Sequence, residues 1–313
     1  MASTTSAGSD TTPGRRRHTP RLTKRDKTVL FVMVAIPTLI ELVLIWLPTL
    51  ASVALSFTRW DGIKLNDIKP AGIQNYNYVV NTYTPFWPAV QHNVEWLLAL
   101  AIIATPFGLL LAVLLDQQIK GSRIYQSIFF TPVMLSLALV GIIWRLIYDR
   151  DYGLLNGVLG TAGHSNATDW LGDSKINIWA AIVAASWKHA GYVMILYLAG
   201  LKGIDPSLKE AASLDGASAW QSFWRVVFPS MRPINIVIVV ITLIEALRAF
   251  DIVWVINKGQ NGLELLSALI VRNLIGEGQD IGVGSAIAVV LMIVSLVPIV
   301  WYLSRVFRKG ADL

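Results

Sequence analysis

The sequence predicts an all-α membrane protein with six transmembrane helices and a helical cytoplasmic loop between the fourth and fifth of them. Three observations predict it. Hydrophobic residues make up 54% of the 313 and charged residues only 15%, where soluble domains carry about a quarter charged. Mean hydropathy is +0.56. The charges bunch in short segments, and between them lie six apolar runs at 29–57, 94–115, 127–148, 178–201, 234–256 and 283–303. A soluble core needs no such runs, whereas about 30 Å of hydrocarbon takes about 20 residues of helix at 1.5 Å each. Helices are expected because lipid offers the backbone no hydrogen-bond partners.

Residues 1–28 are rich in Ser, Thr, Gly and Arg and end in a basic cluster from Arg15 to Lys27. They read as a disordered cytoplasmic tail. The run that follows is too long for a cleaved signal peptide, so it is expected to stay as the first span. The six-helix domain is expected over 29–305, with a short cytoplasmic tail at 306–313. Pro37, Pro106, Pro132 and Pro298 fall inside runs and should kink them. Trp46, Trp96, Trp144, Trp179, Trp254 and Trp301 read mostly as interfacial anchors or packing residues.

Lys and Arg set the orientation. The N-terminal tail, the second and fourth loops and the C-terminus together carry 16, and the opposite loops carry seven. The positive-inside rule places both termini in the cytoplasm, with the chain in the cell membrane. The same distribution explains the net charge of +6 without invoking nucleic acid. The chain has no cysteine, which excludes disulfides and thiol chemistry. His18, His92, His164 and His189 are scattered without metal-ligand spacing.

The loop at 203–233 holds the most information. Asp205 before Pro206 is a helix start, with an N-cap carboxylate and Pro at the first helical position. The helix should reach Asp215 and end at Gly216. Leu208, Ala211 and Ala212 share one face, which the small alanines leave open to close approach by another protein. A second helix follows, with Trp220, Phe223, Trp224, Val227 and Phe228 on one apolar stripe. Pro229 is expected to stop it.

Ionisable groups inside apolar runs are costly, so they face a cavity or a partner. Lys188 and His189 interrupt the fourth run. Glu245, Arg248 and Asp251 interrupt the fifth. These five are the candidates for a polar translocation pathway. Glu245 and Arg248, three apart, could equally form a structural ion pair. Lone Glu41 in the first run has a packing or pairing role as readily.

Glu210-Ala211-Ala212, then Gly216, then Val226-x-Phe228-Pro229 resembles the cytoplasmic loop signature of binding-protein-dependent ABC importer permeases. Val226 and Phe228 stand where that signature has Ile and Leu, and both keep an apolar residue. Leu198-Ala199-Gly200-Leu201, Ile204-Asp205-Pro206 and Leu214-Asp215-Gly216-Ala217 are similar to the subfamily importing sugars, oligosaccharides and glycerol phosphate. So are Ser56-Phe57-Thr58-Arg59-Trp60-Asp61-Gly62, Asp169-Trp170-Leu171-Gly172-Asp173 and Phe250-Asp251-Ile252-Val253. The likeness covers about residues 29 to 305. It departs at Asn257-Lys258-Gly259-Gln260-Asn261-Gly262, where relatives carry a Gly-Gly-Pro turn.

The resemblance implies a permease subunit that moves a small polar solute, a sugar or oligosaccharide. Glu210, Ala211, Ala212, Gly216 and Pro229 would form the loop that couples it to a separate ATPase. It also implies a second permease subunit as heterodimer partner, a cytoplasmic ATPase dimer using ATP and Mg, and an extracytoplasmic solute-binding protein. The chain itself has no Gly-x-x-x-x-Gly-Lys-Ser/Thr phosphate loop and no Gly-Lys dipeptide, so no nucleotide site is expected in it. The competing reading is a secondary transporter driven by an ion gradient. Such a protein would more often show matching halves, and no clear internal repeat is present.

Overall fold

The computed structural model describes residues 23–117, 120–276 and 279–311. The tail through residue 22 lies outside the described residues. The chain divides into two compact units, Met1–Ala51 and Ser52–Leu313. It is helical almost throughout. Two helices of the first half are long: α1 (Lys24–Leu55) and α3 (Phe86–Asp116), with short α2 (Gln74–Asn81) between them. Then come α4 (Ser122–Met134), α5 (Leu137–Ile147), α6 (Leu154–Val158) and α7 (Asn177–Lys202). The loop region contributes α8 (Pro206–Leu214) and α9 (219–230). The chain closes with α10 (Arg232–Leu247), α11 (Asp251–Asn257), α12 (Leu266–Ile275) and α13 (Ile281–Ala311).

Helices cover all six apolar runs, but two runs are broken. Four helices are long and apolar enough to cross a bilayer: Lys24–Leu55, Phe86–Asp116, Asn177–Lys202 and the Ile281–Tyr302 part of α13. The third run forms α4 and α5, bent by 106°. Pro132 lies just before the bend, and Ser136 restarts the chain by capping Leu139 N–H at 3.2 Å. Counted as one crossing, the pair makes five. The fifth run is split between α10 and α11 at residues 248–250. Six uninterrupted rods are therefore not what the chain builds.

Boundaries shift at both ends. Helix α1 starts at Lys24, inside the segment read as tail, because Thr23 and Asp26 form a capping box. Helix α13 continues to Ala311, through most of the expected C-terminal tail. Nothing from Leu303 to Lys309 breaks a helix.

Three prolines are absorbed by the same device. Leu42–Trp46, Leu100–Ala104 and Phe223–Val227 are π turns, and Pro48, Pro106 and Pro229 each follow two residues later. Proline lacks an N–H and its ring clashes with the carbonyl four residues back. In a π turn the bond runs to the fifth residue back, as from Leu47 to Leu42, Thr105 to Leu100 and Phe228 to Phe223. The ladder has already skipped a rung where the ring needs room. Pro229 consequently does not stop its helix, which continues through Ser230 with Met231 N–H bonding Val227 O at 3.2 Å.

Within the larger unit, α7 is the central rod. Ala180, Ala181, Ala184, Ala185 and Ala190 are all buried along it, and small residues let neighbours approach. A Cβ on Gly191 would lie 2.2 Å from Phe129 O of α4, and one on Gly108 of α3 would lie 2.7 Å from Ala190 O. A two-stranded ladder, β1 (Thr58–Arg59) against β2 (Lys69–Pro70), pairs Thr58 with Pro70 and Arg59 with Lys69. It is pinned by Asn75 Nδ2, which donates to Ser56 O and Thr58 O, and by Ile281 N–H, which donates to Trp60 O at the head of α13.

Candidate translocation cavity and cytoplasmic loop

Lys188 and His189 lie on α7, Glu245 on α10, Arg248 and Asp251 around the α10–α11 break. The structure brings all five to one cavity of about 210 Å³, walled also by Trp96, Leu100, Leu137 and Phe250. Asp251, the first residue of α11 after the break at 248–250, lines the same cavity as the residues of α10. Glu245, Arg248 and Asp251 are exposed, while His189 is buried. Trp96, read as an anchor or packing residue, is a cavity wall and 3% exposed.

The pairing differs from the simplest expectation. Glu245 does not pair with Arg248 among the described residues. Its Oε2 lies 2.6 Å from His189 Nδ1 instead. Residues three apart on α10 share a face, but Arg248 already belongs to the turn that ends the helix, so its side chain leaves in another direction. Lys188 donates from Nζ to Leu135 O. Leu135 sits at the bend between α4 and α5, where the helix ladder ends. Lys188 therefore both lines the cavity and ties off an orphan carbonyl.

Two functional neighbours escaped the sequence reading. Thr105 Oγ1 and Thr242 Oγ1 each stand 3.2 Å from His189 Nε2. Thr242 lies three residues before Glu245, which is a usable helical signal. Thr105 precedes Pro106 and follows a π turn, and nothing in its neighbours' types marks it.

In the loop, Asp205 caps α8, accepting from Ser207 N–H at 2.9 Å. The backbone N–H of Ser207, and then its hydroxyl, hold the Asp205 carboxyl below its ordinary pKa. Gly216 adopts φ +75° with open space around it. Ala217 N–H bonds Ala212 O and Gly216 N–H bonds Ser213 O, which is a Schellman ending. Ser218 and Gln221 form a capping box that starts α9 at once. The loop is thus a helical hairpin with defined ends. Its open face differs from expectation in one residue. Ala211 and Glu210 are exposed, but Ala212 is 7% exposed, turned towards its own chain. Leu208 and Leu214 complete the open surface at 42% and 89% exposed. Lys209 pairs with Asp116 at the end of α3, 3.3 Å apart.

The Asn257–Gly262 departure is an ordered turn. Asn261 Nδ2 donates to Gly172 O, and Asn177 Nδ2 donates to Asn261 O. Lys258 and Asn261 sit at positive φ. The clamp joins this turn to the Asp169–Asp173 segment.

A helical, membrane-embedded scaffold with a polar cavity between its rods and a capped helical hairpin outside them is the build of a transport permease. A family model described as the binding-protein-dependent transport system inner membrane component matches residues 104–310, and the chain belongs to this family of ABC importer permeases. It is an integral membrane component and not the catalytic one, since in this family ATP hydrolysis resides on a separate subunit. The chain is 33% identical over 273 residues to the osmoprotective compounds uptake permease protein GgtC of Synechocystis sp., covering 85% of this chain and 94% of that one. It is 32% identical to the xylose/arabinose import permease protein XacH of Haloferax volcanii, covering 82% and 81%. It is 31% identical to the trehalose/maltose transport system permease protein MalF of Thermococcus litoralis, covering 89% and 93%. Among solved structures, a bacterial ABC transporter importing the acidic polysaccharide alginate shares the fold, with TM-score 0.77, 20% identity, and coverage of 91% of this chain and 96% of that one.

Proposed function

We propose that this chain forms one half of the translocation pathway of a carbohydrate importer in the cell membrane, and that its solute passes along the cavity holding Lys188, His189, Glu245, Arg248 and Asp251. The observation that carries the reading is the convergence of those five residues from α7, α10 and the break before α11. Groups so costly in lipid gather where they can meet a polar solute. The sugars in the names of XacH and MalF support carbohydrate as the cargo.

This chain makes six crossings: α1, α3, the α4–α5 pair, α7, the α10–α11 pair and α13. Both termini are cytoplasmic by the Lys and Arg distribution. A second permease subunit completes the pathway, and a solute-binding protein delivers cargo from outside. Helix α8 sits in a groove of a cytoplasmic ATPase dimer that uses ATP and Mg. Glu210 and Ala211 meet that groove, Ala212 backs the helix from inside, and Gly216 and Pro229 set the turn and the path back to α10. The Lys209–Asp116 pair passes movement of α8 to α3.

The test reconstitutes the permease pair, ATPase and binding protein in proteoliposomes with xylose, arabinose, trehalose and maltose as probes. ATP-dependent uptake of at least one, lost in Arg248→Gln and Asp251→Asn, is the expected result. Uptake by the isolated chain under a proton or sodium gradient would establish the secondary-transporter reading instead. Gly216→Pro and Glu210→Lys should weaken ATPase pull-down while leaving membrane insertion intact. Unchanged pull-down and uptake in both would remove the coupling role.

A further inference from the structure

The His189 ring is 2% exposed, and both of its nitrogens are engaged. Nδ1 lies 2.6 Å from Glu245 Oε2. A carboxylate only accepts, so Nδ1 carries the hydrogen. Nε2 faces the hydroxyls of Thr105 and Thr242, each at 3.2 Å. Thr242 spends its one hydroxyl hydrogen on Ile238 O at 2.8 Å. With the ring in its neutral form, the donor to Nε2 is Thr105. The plane of the ring, carried on α7, is fixed by partners on two other helices, α3 and α10. Glu245 differs from its partner in being 43% exposed, on the cavity wall.

We propose that His189 is a positioning residue that holds the Glu245 carboxylate as a fixed hydrogen-bond acceptor in the cavity. Oε2 is taken by the imidazole, and Oε1 is left to accept a solute hydroxyl. Such an acceptor favours hydroxyl-rich solutes, whose O–H groups can donate to it. Thr105 and Thr242 serve the same end one step further out, as partners that orient a metal-binding histidine do. The inference rests on the cavity being the translocation pathway, and it assigns roles within it.

The experiment follows labelling of Glu245 by a water-soluble carbodiimide with glycine ethyl ester, read by mass spectrometry on the full transporter in lipid nanodiscs. Exposed Asp67, outside both the cavity and the coupling loop, is the internal control. His189→Asn keeps an N–H near the Nδ1 position, His189→Gln moves its amide to the Nε2 position, and His189→Leu keeps neither. A carboxylate held by the imidazole reacts slowly. The parent and His189→Asn should label at similar rates, with His189→Gln and His189→Leu roughly tenfold faster, the ratio expected for losing one hydrogen bond to a charged group. Thr105→Val, which leaves Glu245 and His189 in place, should fall between. Rates that track side-chain volume, with Gln and Leu as slow as the parent and Asn fast, mean a packing role and overturn the proposal. Equal labelling in all variants overturns it too, while leaving the pathway reading standing. Absence of labelling at Glu245 in every variant, with Asp67 labelled, shows a cavity closed to water and removes the pathway reading itself.

Discussion

Single residues at the loop set its mechanics. Gly216 has room for a Cβ but sits at φ +75°. Gly216→Ala should therefore cost about 1 kcal/mol through backbone strain alone, read as faster hydrogen exchange at residues 206–214. Asp205 gives a pH dependence with a definite sign. Its folded pKa is lowered by the Ser207 contacts, so the cap is fully present above the unfolded value of about 3.9 and fades as pH falls through the lowered folded value. Exchange protection of α8 should drop at the acid end of that window, and Asp205→Asn should flatten the response. The loop was largely legible in the sequence, because Asp-Pro and Gly are local signals that work through the backbone; the Ser218–Gln221 capping box, equally local, went unread. The inward turn of Ala212 was not, since spacing on a helix says which residues share a face and not which edge of it the bundle covers. Thr105 was equally hidden. A hydroxyl in an apolar helix usually bonds its own backbone, and only the fold brings this one to a histidine 84 residues away.

At the scale of elements, close contacts between rods replace a large hydrophobic driving force. Gly191→Ala would press a methyl group onto Phe129 O, 2.2 Å away. Separating α4 from α7 should lower thermal stability by roughly 1–3 kcal/mol, measured as a lower unfolding temperature in detergent. Gly157→Ala, with nothing within 4 Å, is the matched control. Hydropathy located the helices of all six apolar runs, since long runs survive small errors of boundary, but not α2, α6 or α12, which lie outside those runs. It missed the α10–α11 break because no Pro or Gly marks residues 248–250. The five cavity residues were legible for a physical reason: an ionisable group in an apolar run is conspicuous by its cost. Their partners were not, as the Glu245 bond to His189 shows.

On the scale of the whole molecule, the Lys209–Asp116 contact is the charged link between α8 and the bundle, beside the apolar packing of Phe223, Val227 and Phe228 of α9 against the core. Its side chains are 42% and 25% exposed, so the pair should contribute under about 1 kcal/mol to stability. Lys209→Met should leave the folded chain almost unchanged yet raise the ATP consumed per solute delivered in the reconstituted transporter. A stability loss without a coupling loss would show the pair to be a strut and no transmission point.

The π turns have a consequence for how this chain tolerates change in length. Each stores one surplus residue relative to regular winding, and every side chain beyond it is phased accordingly, by about 100° per residue. Losing one codon within 100–104 would let the ladder close in ordinary register. It would also swing Thr105 away from His189 and drive the Pro106 ring into a carbonyl. Gene-length drift at these three points should be the rarest kind of variation the fold accepts, even though the segments look like interchangeable grease.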